Sequence, residues 1–210
     1  MVPNLAALRL LLVTDDGLVA GRDLVALCIA AVRGGVSAVE LRLKHAPPRE
    51  LLACARELVA SLPVPVLVND RLDVAFAAGA AGVHLGPDDL AVPLARRVVP
   101  EGFLIGASVG APEVAGGRQA AARFAGADYW GVGPLRVTAT KSDAGAALGI
   151  AGFRDIVALA GGIPCVAIGG VRPEDVVTVR AAGGVGVAVA SGILGEPDVE
   201  SAARRYAVSP

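Results

Sequence analysis

The feature that most constrains this chain is an alternation kept up from one end to the other. Short runs of Leu, Val, Ile and Ala, bounded by Gly, Pro, Asn or Asp, take turns with longer Ala-rich amphipathic stretches. The runs at 8–13, 39–44, 66–69, 82–85, 103–108, 129–132, 165–168 and 185–189 read as strands. The segments at 21–34, 48–62, 71–78, 89–97, 111–124, 149–160, 172–182 and 197–206 read as helices. Most strands are apolar on both faces, as parallel strands covered by helices must be. A weak internal echo marks the junctions: Gly34-Gly35-Val36, Gly79-Ala80-Ala81, Gly126-Ala127-Asp128 and Gly183-Gly184-Val185 each end a helix with Gly and lead into an apolar strand. With no break in composition, this predicts one parallel α/β domain over residues 1–210. Eight βα units predict a closed (β/α)8 TIM barrel. The doubly wound alternative expects a Gly-rich fingerprint after the first strand, where Thr14-Asp15-Asp16-Gly17 stands instead.

Composition narrows the function classes. The chain is 54% hydrophobic but only 3% aromatic, so its core is built from aliphatic side chains. A net charge of −1 argues against sequence-independent nucleic-acid binding, which needs a basic surface. The long charge-poor stretches are cut by Gly161, Gly162 and Pro164, so no membrane span is expected. Residues 1–9 have no basic segment leading to an apolar core, so no secretory leader is expected. Three cysteines, Cys28, Cys54 and Cys165, are odd in number and far apart, which reads as reduced thiols in a cytoplasmic protein.

In a barrel of this kind chemistry sits at the carboxyl ends of the strands. The second strand carries Glu40, Arg42 and Lys44 alternating with Leu41 and Leu43, so period two puts the three charges on one face, toward the barrel. An internal bridge of Glu40 with Arg42 or Lys44 leaves one cation in excess, which favours an anionic ligand. Asp70 and Asp89, after neighbouring strands, suit Mg²⁺, which takes part of its shell from substrate phosphate. Each can instead cap the helix that follows it. Gly169-Gly170 and Ser191, after the seventh and eighth strands, occupy the usual phosphate position of such barrels. The stretch 133–148 is long for a βα loop and holds Thr138, Thr140 and Lys141, two hydroxyls and an ammonium fit to cover an anion. His84 lies within a strand and reads as a hydrogen-bonded structural residue. No Ser-His-Asp set and no His/Cys metal spacing is present.

At these residues the chain resembles the thiamine-phosphate synthase family over nearly its whole length. The family's Gln-x-Arg-x-Lys strand corresponds to Glu40-Leu41-Arg42-Leu43-Lys44, its Asn-Asp to Asn69-Asp70, and its His-x-Gly-Gln-x-Asp to His84-Leu85-Gly86-Pro87-Asp88-Asp89. Gly106-Ala107-Ser108, Gly131-Val132-Gly133-Pro134, Thr138-Ala139-Thr140-Lys141, Ile168-Gly169-Gly170 and Ala190-Ser191 follow in order. Glu40 and Pro87 each stand where the family has Gln. The resemblance implies a (β/α)8 enzyme that joins hydroxymethylpyrimidine diphosphate to a thiazole phosphate with loss of diphosphate. It implies a catalytic set of Arg42, Lys44, Ser108 and Lys141, with Mg²⁺ on Asp70 and Asp89. Glu40, Asn69 and Ser108 would face the pyrimidine diphosphate, with Arg42, Lys44 and Lys141 on its phosphates. Thr138, Thr140, Gly170, Ala190 and Ser191 would hold the thiazole phosphate. Small-molecule substrates are the expected partners, and a homo-oligomer is compatible with this reading. The alternatives are the related thiazole tautomerase, which has a His where Pro134 stands, and a non-catalytic phosphate-ligand barrel.

Overall fold

Strand and helix alternate along the chain because the apolar period switches between two and 3.6, and the computed structural model, which describes residues 5–137 and 146–207, follows that switch. The strands are β1 Leu10–Val13, β2 Ala38–Leu41, β3 Val66–Asn69, β4 Gly82–Leu85, β5 Leu104–Val109, β6 Tyr129–Val132, β7 Cys165–Ile168 and β8 Gly186–Val189. Each pairs in parallel with the next, and β8 returns to β1, closing the barrel. The helices are α1 Asp16–Val19, α2 Leu24–Arg33, α3 Pro48–Ser61, α4 Leu72–Ala78, α5 Val92–Arg96, α6 Arg118–Ala121, α7 Gly149–Leu159, α8 Asp175–Ala181, α9 Ser191–Leu194 and α10 Val199–Ala207. Short 3₁₀ turns occupy Leu5–Leu8, Pro112–Val114 and Ala122–Phe124. Among the described residues no helix is long and apolar enough to cross a membrane.

Alternation along each strand divides the core in two. Leu12, Val39, Leu41, Val68 and Val83 point outward and pack under the helices. Leu11, Val13, Ala38, Leu67, Val166 and Ala188 point inward with Tyr129 and fill the cylinder. The register sets Glu40 beside Val13 and Leu67, so Glu40 faces the same interior.

Several elements depart from the sequence expectations, among them one strand and three helices. The second strand ends at Leu41, not at Lys44. Beyond Leu41 the loop after β1 captures the backbone: Arg42 N donates to Thr14 Oγ1 at 2.8 Å, and Lys44 N and His45 N donate to the Asp16 carboxylate at 2.9 and 3.2 Å. Arg42 and Lys44 therefore leave the strand and stand on the rim. The expected helix 89–97 begins only at Val92, because the Asp89 carboxylate turns back to accept from Gly86 N at 2.7 Å. The expected helix 111–124 is broken at Gly116-Gly117 into the 3₁₀ turn Pro112–Val114, α6 and the 3₁₀ turn Ala122–Phe124. The helix expected over 172–182 starts at Asp175. The short α1 and α9 carry no periodic signal that a sequence pattern would register.

Candidate active site

A cavity of about 580 Å³ opens at the carboxyl ends of the strands. Its wall includes Glu40, Arg42 and Lys44 on one side, Asn69, Asp70 and Asp89 next to them, Ser108 from β5, and Gly170, Ala190 and Ser191 across from the later strands. The sequence-predicted site residues within the described chain thus border one space. Thr138, Thr140 and Lys141 lie outside the described residues.

The charges are not paired as the sequence suggested. Arg42 Nη1 reaches Asp15 Oδ2 at 3.1 Å, and Lys44 Nζ lies 3.8 Å from Asp70 Oδ2. Glu40 bridges neither of them. It is buried at 3% exposure, and its contact with a basic group is His84 Nδ1 at 3.9 Å. A carboxylate buried this far without a hydrogen-bonded cation is costly to desolvate. The loss of the Glu40 bridge follows from the early end of β2, which carries Arg42 over toward the β1 loop. Asp15 was legible only as one of two acids after the first strand, and nothing in the sequence singled it out as the partner of Arg42.

His84 joins two sides of the interior. Its Nδ1 shares a hydrogen bond of 2.9 Å with Tyr129 Oη, and its Nε2 one of 3.0 Å with Ser108 Oγ. Burial, helped by the nearby Glu40 charge, keeps the Tyr129 phenol protonated far above its ordinary range. When Tyr129 donates to Nδ1, the Nε2–H donates to Ser108 and the serine proton is left for a ligand. The rings fit because β5 and β6 carry Gly106 and Gly131 where neighbours carry side chains. A Cβ on Gly106 would lie 2.3 Å from Tyr129 Cζ, and one on Gly131 would lie 2.9 Å from His84 Cε1. Tyr129 had no role in the sequence reading. An isolated aromatic hydroxyl opening a strand gives no motif, although small residues opposite it are a usable signal.

Asp70 is a structural exception. Its φ of 62° is in the left-handed region, uncommon for a residue with a Cβ but tolerated by Asp and Asn. Asp70 N donates to His84 O at 2.8 Å, which ties this conformation to β4. The helix-cap reading is not realised: α4 starts after Arg71 and no side chain caps it. The carboxyl group is instead pushed up to about 6, first by burial, then by the Asp89 carboxyl beside it, with Lys44 pulling the other way. Two hard oxygen donors that repel one another are suited to a divalent cation. Among the described residues there is no cluster of three or more His, Cys, Asp or Glu that would enclose an ion from protein alone.

On the opposite wall the backbone turns sharply after β7, with φ of 84° at Gly169 and 66° at Gly170. Such a turn exposes amide groups without side-chain cover, and Ser191 opens α9 beside it. One wall of the cavity therefore offers carboxylates and cations, and the other backbone donors.

The family model described as thiamine monophosphate synthase matches residues 10–193. The chain belongs to that family. It is 49% identical over 198 residues to the thiamine-phosphate synthase of Methanoculleus marisnigri, with 93% of this chain and 92% of the relative covered. It is 44% identical over 209 residues to that of Azorhizobium caulinodans, covering 97% and 95%. The solved thiamine phosphate pyrophosphorylase from Pyrococcus furiosus superposes with a TM-score of 0.80 at 34% identity, covering 96% of this chain and 95% of that one. Membership in the thiamine monophosphate synthase family makes the protein a transferase of thiamine biosynthesis that acts on small molecules.

Proposed function

We propose that this cavity binds hydroxymethylpyrimidine diphosphate and a thiazole phosphate together and joins them into thiamine phosphate. The bond from the pyrimidine methylene carbon to the diphosphate oxygen breaks, and its electron pair leaves with diphosphate. The thiazole ring nitrogen then attacks the methylene carbon, forming the new carbon–nitrogen bond. No proton has to be abstracted, so catalysis consists of neutralising the departing charge and holding the two partners in line.

The observation that supports this reading is one cavity bordered by cations and carboxylates on one side and by the Gly169–Gly170 turn and Ser191 on the other. Arg42, Lys44 and Lys141 supply positive charge for the diphosphate. Asp70 and Asp89 would hold Mg²⁺, which when bound would offset further charge on the leaving group and complete its shell from water and phosphate. The raised Asp70 carboxyl fits such a role, because a cation relieves the repulsion that Asp89 imposes. Ser108, set by His84, and Asn69 orient the pyrimidine end. Gly170, Ala190 and Ser191, with Thr138 and Thr140, receive the thiazole phosphate. The test is direct: purified protein, Mg²⁺ and both substrates should release diphosphate and thiamine phosphate in equal amounts. Folded protein that makes neither product above background refutes the proposal. Interconversion of thiazole isomers without the pyrimidine substrate would assign the tautomerase reaction instead.

A further inference from the structure

The loop after β6 and the start of α8 are joined by an ion pair that is buried on its acid side and half-buried on its arginine side. Asp175, at the start of α8, is 4% exposed. Arg136 reaches it with both terminal nitrogens: Nη2 donates to Oδ1 at 2.7 Å and Nη1 donates to Oδ2. Oδ2 also accepts from Arg172 N at 2.8 Å. On the other side, Leu135 N donates to Ile168 O at 2.8 Å and Arg136 N donates to Gly169 O at 2.9 Å. The five residues from Ile168 to Arg172 are therefore held at both ends. In between, Gly170 is so close to the neighbouring loop that a Cβ on it would lie 2.8 Å from Arg136 Cβ and 3.1 Å from Val137 O. Among the described residues no acceptor meets the Gly170 or Val171 amide, and both residues border the cavity.

Such a pair is a poor source of stability, because taking the carboxylate and part of the guanidinium out of water offsets much of their attraction. What a bidentate fork supplies is fixed geometry. Here that geometry fixes a turn that borders the cavity and whose Gly170 and Val171 amides have no acceptor among the described residues. We propose that Asp175 and Arg136 are positioning residues: their pairing holds the Gly169–Val171 turn in the shape that binds the phosphate of the thiazole substrate. Neither side chain touches that substrate. The inference rests on the function proposed above, and it concerns one wall of the cavity only.

The experiment is steady-state kinetics on the full-length enzyme with each substrate varied in turn. Asp175→Asn keeps an acceptor for Arg172 N but loses the ion pair. It should raise KM for the thiazole phosphate about ten-fold while kcat and KM for the pyrimidine diphosphate stay within about two-fold. Arg136→Met should do the same, and the double variant should be no worse than either single one. Arg136→Lys, which keeps the charge but not the fork, should recover only part of the loss. Unchanged thiazole KM overturns the proposal. So does an even loss in both KM values and kcat that tracks a fall in Tm, because that is the signature of a purely structural pair. Should Asp175→Asn fail to fold, Arg136→Met decides alone, since Arg136 is only half-buried. Should the wild-type enzyme make no product, the proposed function fails, and binding of inorganic phosphate by calorimetry tests the pair instead. Weaker phosphate binding by about ten-fold in Arg136→Met supports it, and equal binding overturns it.

Discussion

Replacing Gly106 by Ala tests how far the interior polar chain controls both stability and turnover. The added Cβ would lie 2.3 Å from Tyr129 Cζ and 2.5 Å from His84 Nδ1. Carbon contacts are comfortable at about 3.5–4.0 Å, so the rings must retreat by about 1 Å or more. Tyr129 is 1% exposed and packed within the barrel interior, so its ring has little room to retreat. Overpacking of this kind costs about 1–3 kcal/mol. Displacing the Tyr129–His84 and His84–Ser108 hydrogen bonds leaves buried polar groups unpaired, at about 1–3 kcal/mol more. The sum is about 2–6 kcal/mol, or a fall in Tm of about 4–24 °C for a chain of this length. Backbone propensity predicts the opposite sign, since Ala in a strand is favoured over Gly by about 0.5–1 kcal/mol. Because Ser108 takes its orientation from His84, kcat/KM should also fall by about ten- to a hundred-fold. Thermal unfolding and steady-state kinetics on the same preparation give the answer. A variant as stable as the wild type or more so, with kcat/KM unchanged, would refute the reasoning.

Three further outcomes follow from the site. Asp70→Asn keeps a residue that tolerates φ near 62°, so the fold should survive while Mg²⁺-dependent turnover drops by about a hundred-fold or more; full activity in Mg²⁺ would remove Asp70 from the metal set. Glu40→Gln takes away a buried charge that has no hydrogen-bonded cation among the described residues, and should stabilise the protein by about 1 kcal/mol or more in thermal melts. A lower Tm would mean that the contact with His84 outweighs the desolvation. For Asp175, burial pushes the carboxyl up, but hydrogen bonds from Arg136 and the Arg172 amide and the charges of both arginines outweigh it and hold the group below its ordinary value of 3.8. A carboxylate lowered in the folded state contributes stability above its unfolded pKa, and that stability is lost as pH falls through the folded one. The wild type should therefore lose stability in circular-dichroism titrations below about pH 4, where Asp175→Asn loses less; parallel acid limbs would contradict the assigned charge state.

The architecture was legible because it depends on periodicity. Eight apolar runs separated by amphipathic stretches leave few ways to bury every face, and a parallel barrel under helices is one of them. The candidate site was legible as a set for a related reason: strand ends in a barrel converge, so Glu40, Asn69, Asp70, Asp89, Ser108, Gly170 and Ser191 could be gathered by their place after a strand. Where periodicity was stretched past its range it misled. Arg42 and Lys44 were assigned to β2, yet Thr14 and Asp16 draw that backbone off the ladder. Gly116-Gly117 split a helix that composition alone made continuous.

What the chain's pattern determined, then, is which residues reach the rim and in what order around it. What only the tertiary structure decided is who pairs with whom: Arg42 with Asp15, His84 with Tyr129 and Ser108, Arg136 with Asp175, and Glu40 with none of the arginines or lysines described. The physical reason is distance. Hydrogen bonds and ion pairs are won or lost over about an ångström, and displacements of that size arise from how loops from different strands pack, which no single segment of sequence contains.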